Sequence, residues 1–83
     1  MNSLPLPAAV GQAIAARRTA SRLTQAELAE SLSMGLRYVS EVERGKHDIR
    51  LATLERLSDA LGVRASFLLA EAEQRMQRGD RTS

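Results

Sequence analysis

Eighty-three residues, 43% of them hydrophobic, are enough for one domain whose core alone would be only moderately stabilising, so help from a partner chain is a natural expectation. The chain has no cysteine and only one histidine, His47, which excludes a disulfide framework and any thiolate or histidine metal cluster, and no cofactor is expected. The net charge of +2 comes from the first fifty residues, where seven basic residues face five acidic ones, whereas beyond them the count is five against five; this is a faint footprint for a polyanion, equally compatible with a solvated surface.

Met1 to Leu6 reads as a flexible arm, because Pro5 and Pro7 discourage helix before the first turn while Pro7 suits the opening of one. The arm carries no basic residue, and Leu4 and Leu6 give it a way to pack on a core. The stretch LPLPAAVGQAIAA lacks a preceding positive charge and is interrupted by Pro5, Pro7 and Gln12, so it reads poorly as a secretory signal, and no run approaches the length of a membrane span. A domain is expected over 7–78. Its first helix, about Pro7 to Ser21, turns Val10, Ile14 and Arg18 inward and Arg17 outward. An inward guanidinium requires a carboxylate partner; the alternative is an exposed Arg18 on a solvated face.

Thr24, Gln25, Ala26 and Glu27 form T-x-x-E, a capping box that marks the start of a second helix. From Gln25 onward the apolar residues form two stripes, Leu28 with Leu32 and Val39 with Val42, separated by a break near Ser33 and Gly35. Ala29 has no bulk and allows a close crossing of the two helices. Two short helices joined by such a turn describe a helix-turn-helix over about 24–44, ended by Gly45, a good left-handed terminator. A fourth helix, about Leu51 to Leu61, buries Leu54, Leu57 and Leu61 and stops at Gly62. A fifth, about 65–78, is expected to plug the core with Phe67 and Leu68. Its line of Leu69, Ala72 and Met76 continues past the core and suggests a dimer interface, and residues 79–83 read as a frayed tail.

LTQAELAESLSMGLRYVSEVERGK, Leu23 to Lys46, resembles the helix-turn-helix of the Cro and lambdoid phage repressor (XRE) family, and the likeness extends through LATLERLSDALGV to about Leu69. The Leu-Thr-Gln opening, the Ala29 position, the Tyr-Val-Ser run and the Glu-Arg-Gly-Lys exit carry it together. The resemblance implies an all-α, compact five-helix domain, lambda-repressor-like, that binds double-stranded operator DNA, usually as a homodimer. It implies Glu43 as the partner of Arg18, a phosphate beside Gln25, and phosphate contacts for Arg44 and Lys46, whose charge argues the same way. Several positions depart from the pattern: Ser33 and Arg22 stand where relatives often have Gly, which requires left-handed non-glycine residues, and Gly35 replaces the usual Ser or Thr cap. Ile49 stands in a loop where relatives often carry Pro.

With Val39 and Val42 inward, the outward residues of the recognition helix are Leu36, Arg37, Ser40, Glu41 and Arg44. Arg37 suits base reading, because its fork donates two bonds to the O6 and N7 edge of guanine. Ser40 reads several bases, and Leu36 offers a contact for a thymine methyl. Glu41 has three readings: accepting from a cytosine amine, holding Arg37 in place, or repelling phosphate. Tyr38 contacts a backbone phosphate or packs at the helix edge. His47 reads as an exposed loop side chain.

The expected function is sequence-specific transcriptional regulation by a homodimer on a two-fold operator, in the cytoplasm, through promoter occupancy that blocks or touches RNA polymerase. The alternative is an antitoxin or anti-repressor that binds a co-encoded protein and also regulates its own operon. An enzyme is disfavoured, since there is no cysteine, no glycine-rich phosphate loop, and the carboxylates are spread along helix surfaces.

Overall fold

The computed structural model describes residues 4–81. Five α-helices follow one another: α1 Leu6–Ala20, α2 Gln25–Leu32, α3 Leu36–Glu43, α4 Leu51–Leu61 and α5 Ala65–Arg81, with no strand among the described residues. Helix α1 starts one residue earlier than Pro7 and α5 continues past residue 78, while the outermost parts of the expected arm and tail, 1–3 and 82–83, lie outside the described residues.

Local chemistry sets each boundary. Helix α1 opens with Pro5 at its N-cap and Pro7 in the first turn, where a missing N–H costs nothing, and the Ala9 N–H closes the turn on the Pro5 carbonyl at 2.9 Å. Helix α2 opens on a reciprocal capping box: the Glu27 N–H donates to Thr24 Oγ1 at 3.0 Å and the Thr24 N–H to Glu27 Oε1 at 2.8 Å. It ends at Ser33 in the left-handed region (φ 54°), with the Met34 N–H returning to the Ala29 carbonyl and the Arg56 guanidinium donating to the Leu32 carbonyl. Arg22, closing α1, is also left-handed, at φ 61°. There the Arg22 and Leu23 N–H groups donate to the Thr19 and Arg18 carbonyls at 2.9 and 3.1 Å, while at the Ser33 turn the Ala29, Glu30 and Leu32 carbonyls all find donors; these bonds offset part of the strain of a non-glycine residue at each turn.

Helix α1 runs through the middle of the domain, packed most extensively against α5 and also against α3 and α4. It approaches so closely because its inner face is small: Ala9, Gly11 and Ala13 are buried beside Val10 and Ile14. At Gly11 a Cβ would collide with the Val42 carbonyl oxygen and stand 2.8 Å from that of Glu43, so the crossing of α1 over the end of α3 requires a residue without a side chain. Gly45 meets the same face of α1 about one turn earlier: it is left-handed (φ 77°), and a Cβ there would lie 2.7 Å from the Cα of Ala8. Around this crossing Ile14, Leu28, Val39, Val42, Leu57 and Leu68 form the fully buried core.

The packing of α5 corrects two expectations. Phe67 does not plug the core but is 43% exposed, whereas Ala72, assigned to a dimer interface, has no exposed surface at all. The reason is the rotation of α5 about its axis. Leu68 and Ala72, four apart, face α1, and the small Ala72 lets the helices close; Phe67 is then turned off the contact, and Leu69 and Met76 are left on a half-buried flank. Arg17 is a third correction. It is half-buried rather than outward, with its guanidinium 5.9 Å above the Phe67 ring, so the two side chains shield each other.

Candidate nucleic-acid interface

The turn at Ser33–Gly35 sets α3 across α2 with Leu28, Ala29 and Leu32 facing Val39 and Val42. Because Val39 and Val42 take the inner face, the opposite face of α3 is presented to solvent. Leu36 is 50% exposed, the Arg37 side chain 90% exposed, Ser40 half-buried beside them, and Arg44 and Lys46 are exposed at the exit. The exit turn is a six-to-one closure around Gly45: the Gly45 N–H donates to the Val42 carbonyl and the Lys46 N–H to the Glu41 carbonyl, both at 3.0 Å. Arg44 and Lys46 therefore leave the helix in a defined direction.

Glu43, the last residue of α3, is held by three hydrogen bonds from two residues. Arg18 Nε donates to its Oε2 at 2.7 Å and Arg18 Nη2 to its Oε1 at 3.0 Å, a bidentate pair with side chains only 16% and 5% exposed. Gln25 Nε2 donates to Glu43 Oε1 at 2.8 Å. Arg18 in turn donates through Nη1 to the Leu23 carbonyl at 2.8 Å. One guanidinium thus joins α1, the α1–α2 turn and the end of α3. The hydrogen bonds to Glu43 raise the Arg18 pKa above its already high ordinary value despite the opposing effect of burial. Gln25, read from sequence as a phosphate neighbour, has its amide nitrogen turned to Glu43 at the first position of α2.

A second network lies on the outer face. Arg37 Nε donates to Glu41 Oε2 at 3.1 Å, one helical turn apart, and His47 Nε2 lies 2.9 Å from Glu41 Oε1. Of the three readings of Glu41, the arrangement in the free protein is the one in which it holds Arg37. The bonds from His47 first, and from Arg37 second, keep the Glu41 carboxyl below the usual carboxylate range. Tyr38 packs at the edge of the helix, half-buried against the core, with its ring centroid 4.8 Å from that of His47. His47 is therefore not an isolated loop side chain; it is half-buried between Tyr38 and Glu41. Sequence reasoning missed it because Glu41 and His47 are separated by the Gly45 turn. The one available signal was that a six-to-one helix ending folds the following residues back over the last turn.

The expected interface residues on α5 do not form one patch. Leu69 lines an open, mainly apolar recess with Leu6, Pro7, Val10, Asp48, Ile49, Leu51 and Leu54, of which Leu51 is 81% exposed. Met76 packs on the core farther along the helix, and Ala72 lies inside it. Among the described residues no group of acidic, histidine or cysteine side chains is arranged to hold a metal ion, and no helix is long and apolar enough to cross a membrane.

Comparison with known proteins places this geometry in a family. A helix-turn-helix family profile matches residues 14–68. An immunity repressor protein of Bacillus phage phi105 is 39% identical over 62 residues, covering 75% of this chain and 43% of that protein. Control protein C.BamHI of Bacillus amyloliquefaciens is 36% identical over 53 residues, covering 64% of this chain and 65% of its own length. The chain thus spans less than two thirds of either relative. The crystal structure of the clp gene regulator ClgR from Corynebacterium glutamicum superposes with a TM-score of 0.90 at 31% identity, covering 93% of this chain and 82% of that one. These relatives are named as a repressor, a control protein and a gene regulator, not as enzymes. With the family profile spanning α2, the turn and α3, and the whole five-helix frame shared with a solved relative, this chain belongs to the XRE-type helix-turn-helix family.

Proposed function

We propose that this chain is a sequence-specific DNA-binding transcriptional regulator that acts as a homodimer on a two-fold operator. The observation that carries the reading is the outer face of α3: an exposed guanidinium on a helix locked to the core at its far end by the Arg18–Glu43 pair, with two further cations at the exit. A rigid helix of this diameter fits the major groove of B-form DNA, and a rigid mount keeps the reading side chains in register with base edges. Arg37 reads a guanine, Leu36 and Ser40 contact neighbouring bases, and Glu41 lies beside them. Arg44 and Lys46 contact the phosphates, with Gln25, through the positively polarised N-terminus of α2 where it stands, and Tyr38, at the edge of α3, beside them.

The apolar recess supports the homodimer. Leu51, Leu6, Ile49 and Leu69 surround one face formed by the N-terminal parts of α1, α4 and α5, and a two-fold axis through such a face makes it self-complementary. Dimerisation sets two recognition helices about 34–36 Å apart, one turn of DNA. Selection of bound duplexes from a random DNA pool tests the whole reading. A two-fold sequence with half-sites about one helical turn apart is the expected product; enrichment of no sequence, or of a single unrepeated half-site, overturns it.

A further inference from the structure

Glu41 is held at both carboxylate oxygens, and the group at its far side connects back to the core. A carboxylate oxygen only accepts, so at 2.9 Å from Glu41 Oε1 the His47 Nε2 is the protonated ring nitrogen and donates. His47 is itself braced by Tyr38, whose ring lies 4.8 Å away at a 40° tilt and is packed on the core, and by the exit turn, where the Lys46 N–H is bonded to the Glu41 carbonyl. The other end of the line is Arg37, bonded to Glu41 Oε2 through Nε alone, with its side chain otherwise 90% exposed. An arginine reads guanine with two adjacent donors, either Nε with one Nη or the two Nη groups. With Nε occupied by Glu41, the pair that remains is the end-on one.

We propose that His47 is a positioning residue for base reading: by holding one oxygen of Glu41 it keeps the other on Arg37 Nε and aims the two Nη groups outward as an end-on fork. This rests on the DNA-binding reading above. The physical gain is preorganisation. A long exposed arginine samples many rotamers, and a fork already restrained in the free protein loses less conformational freedom on binding. An isolated surface pair of Arg37 with Glu41 would hold only weakly; the bond from His47 removes the freedom of the carboxylate that does the holding.

The test compares binding to the selected site and to random DNA for wild type, His47→Ala, His47→Gln, Glu41→Ala, Arg37→Ala and the double variant of His47→Ala with Arg37→Ala, each checked for folding by its thermal transition. His47→Ala is expected to weaken binding to the selected site by roughly three- to tenfold and leave random DNA unchanged. His47→Gln, whose amide still donates, restores most of the loss, and His47→Ala adds nothing once Arg37 is gone. Glu41→Ala removes the acceptor at the centre of the line and lowers the same ratio, which keeps the test intact if His47→Ala fails to fold. Equal losses on both DNAs for His47→Ala, no loss at all, or an undiminished loss in the Arg37→Ala background each overturn the positioning role. If Arg37→Ala loses selectivity while the His47 and Glu41 variants keep it, the positioning role alone fails. If wild type shows no preference among sequences, the base-reading assignment fails and this inference with it.

Discussion

Arg18 and Glu43 lie 25 residues apart in sequence and meet through two hydrogen bonds of 2.7 and 3.0 Å, so that the first helix of the domain grips the last residue of the recognition helix. Removing one partner strands a largely desolvated charge. Glu43→Ala is expected to destabilise by about 3–5 kcal/mol, whereas replacing both residues with apolar ones of similar size costs much less. Denaturant midpoints of the two single variants and the double variant check this; an unchanged midpoint in Glu43→Ala would show that the pair contributes nothing.

The crossing at Gly11 predicts a sign. In an exposed helix Gly→Ala stabilises by about 1 kcal/mol. At Gly11 the added methyl meets the carbonyl oxygens of Val42 and Glu43, so α1 and α3 have to separate, and Gly11→Ala is expected to destabilise by about 1–3 kcal/mol. Because the displaced element is the end of α3, DNA binding should weaken with it. A gain in melting temperature would contradict the close crossing.

Arg37 and Lys46 should separate by the kind of loss they cause. Arg37→Ala is expected to lose about 1–3 kcal/mol on the preferred site and relax the preference at one base pair. Lys46→Ala should weaken all sequences alike and reduce the salt slope by about one. Titrations on specific and random duplexes at several salt concentrations distinguish them, and an equal loss on both DNAs for Arg37→Ala would rule out its base-reading role.

Leu51, 81% exposed, is the sharpest probe of the proposed dimer, since a charge there is nearly neutral for the monomer. Burying one leucine stabilises by roughly 1.5–3 kcal/mol and a two-fold interface buries it twice, so Leu51→Glu should dissociate the protein without unfolding it. Leu69→Glu should do the same, at some cost to the fold because Leu69 is half-buried. Sedimentation of wild type as a monomer at tens of micromolar would assign the recess to something else.

The Glu41 carboxyl gives a pH signature. Its pKa is lower in the folded protein than in the unfolded chain, chiefly through His47 and then Arg37, so its contribution to stability is fully present above the unfolded value of roughly 4.3 and is lost as pH falls through the folded value. The stability difference between wild type and Glu41→Gln should therefore be larger at about pH 5.5 than at about pH 3, on either side of the unfolded carboxylate value. Denaturant unfolding at the two pH values tests this, and a difference that grows on acidification would reverse the sign.

The elements of the fold were legible in the sequence wherever their signals are local. The Thr24–Glu27 box, the endings at Gly45 and Gly62, and the spacings of Val39 with Val42 and of Leu54, Leu57 and Leu61 all act within one or two helical turns, and the helices begin and end where these residues set them. The outward face of α3 followed from the same period. What only the tertiary structure decided is the rotation of one helix against another. On α5 the apolar residues Phe67, Leu68, Leu69, Ala72 and Met76 cover so wide an arc that the sequence allows several inner faces; the small side chains of α1 select the one with Leu68 and Ala72 buried, leaving Phe67 at the edge of the contact, partly covered by Arg17. The same holds for the contacts across turns. No periodicity relates His47 to Glu41 and Tyr38, or Gly11 to the carbonyl oxygens of Val42 and Glu43, because those neighbours are set by how the chain folds back and how closely two backbones approach, and neither distance is written in the spacing of residues along one helix.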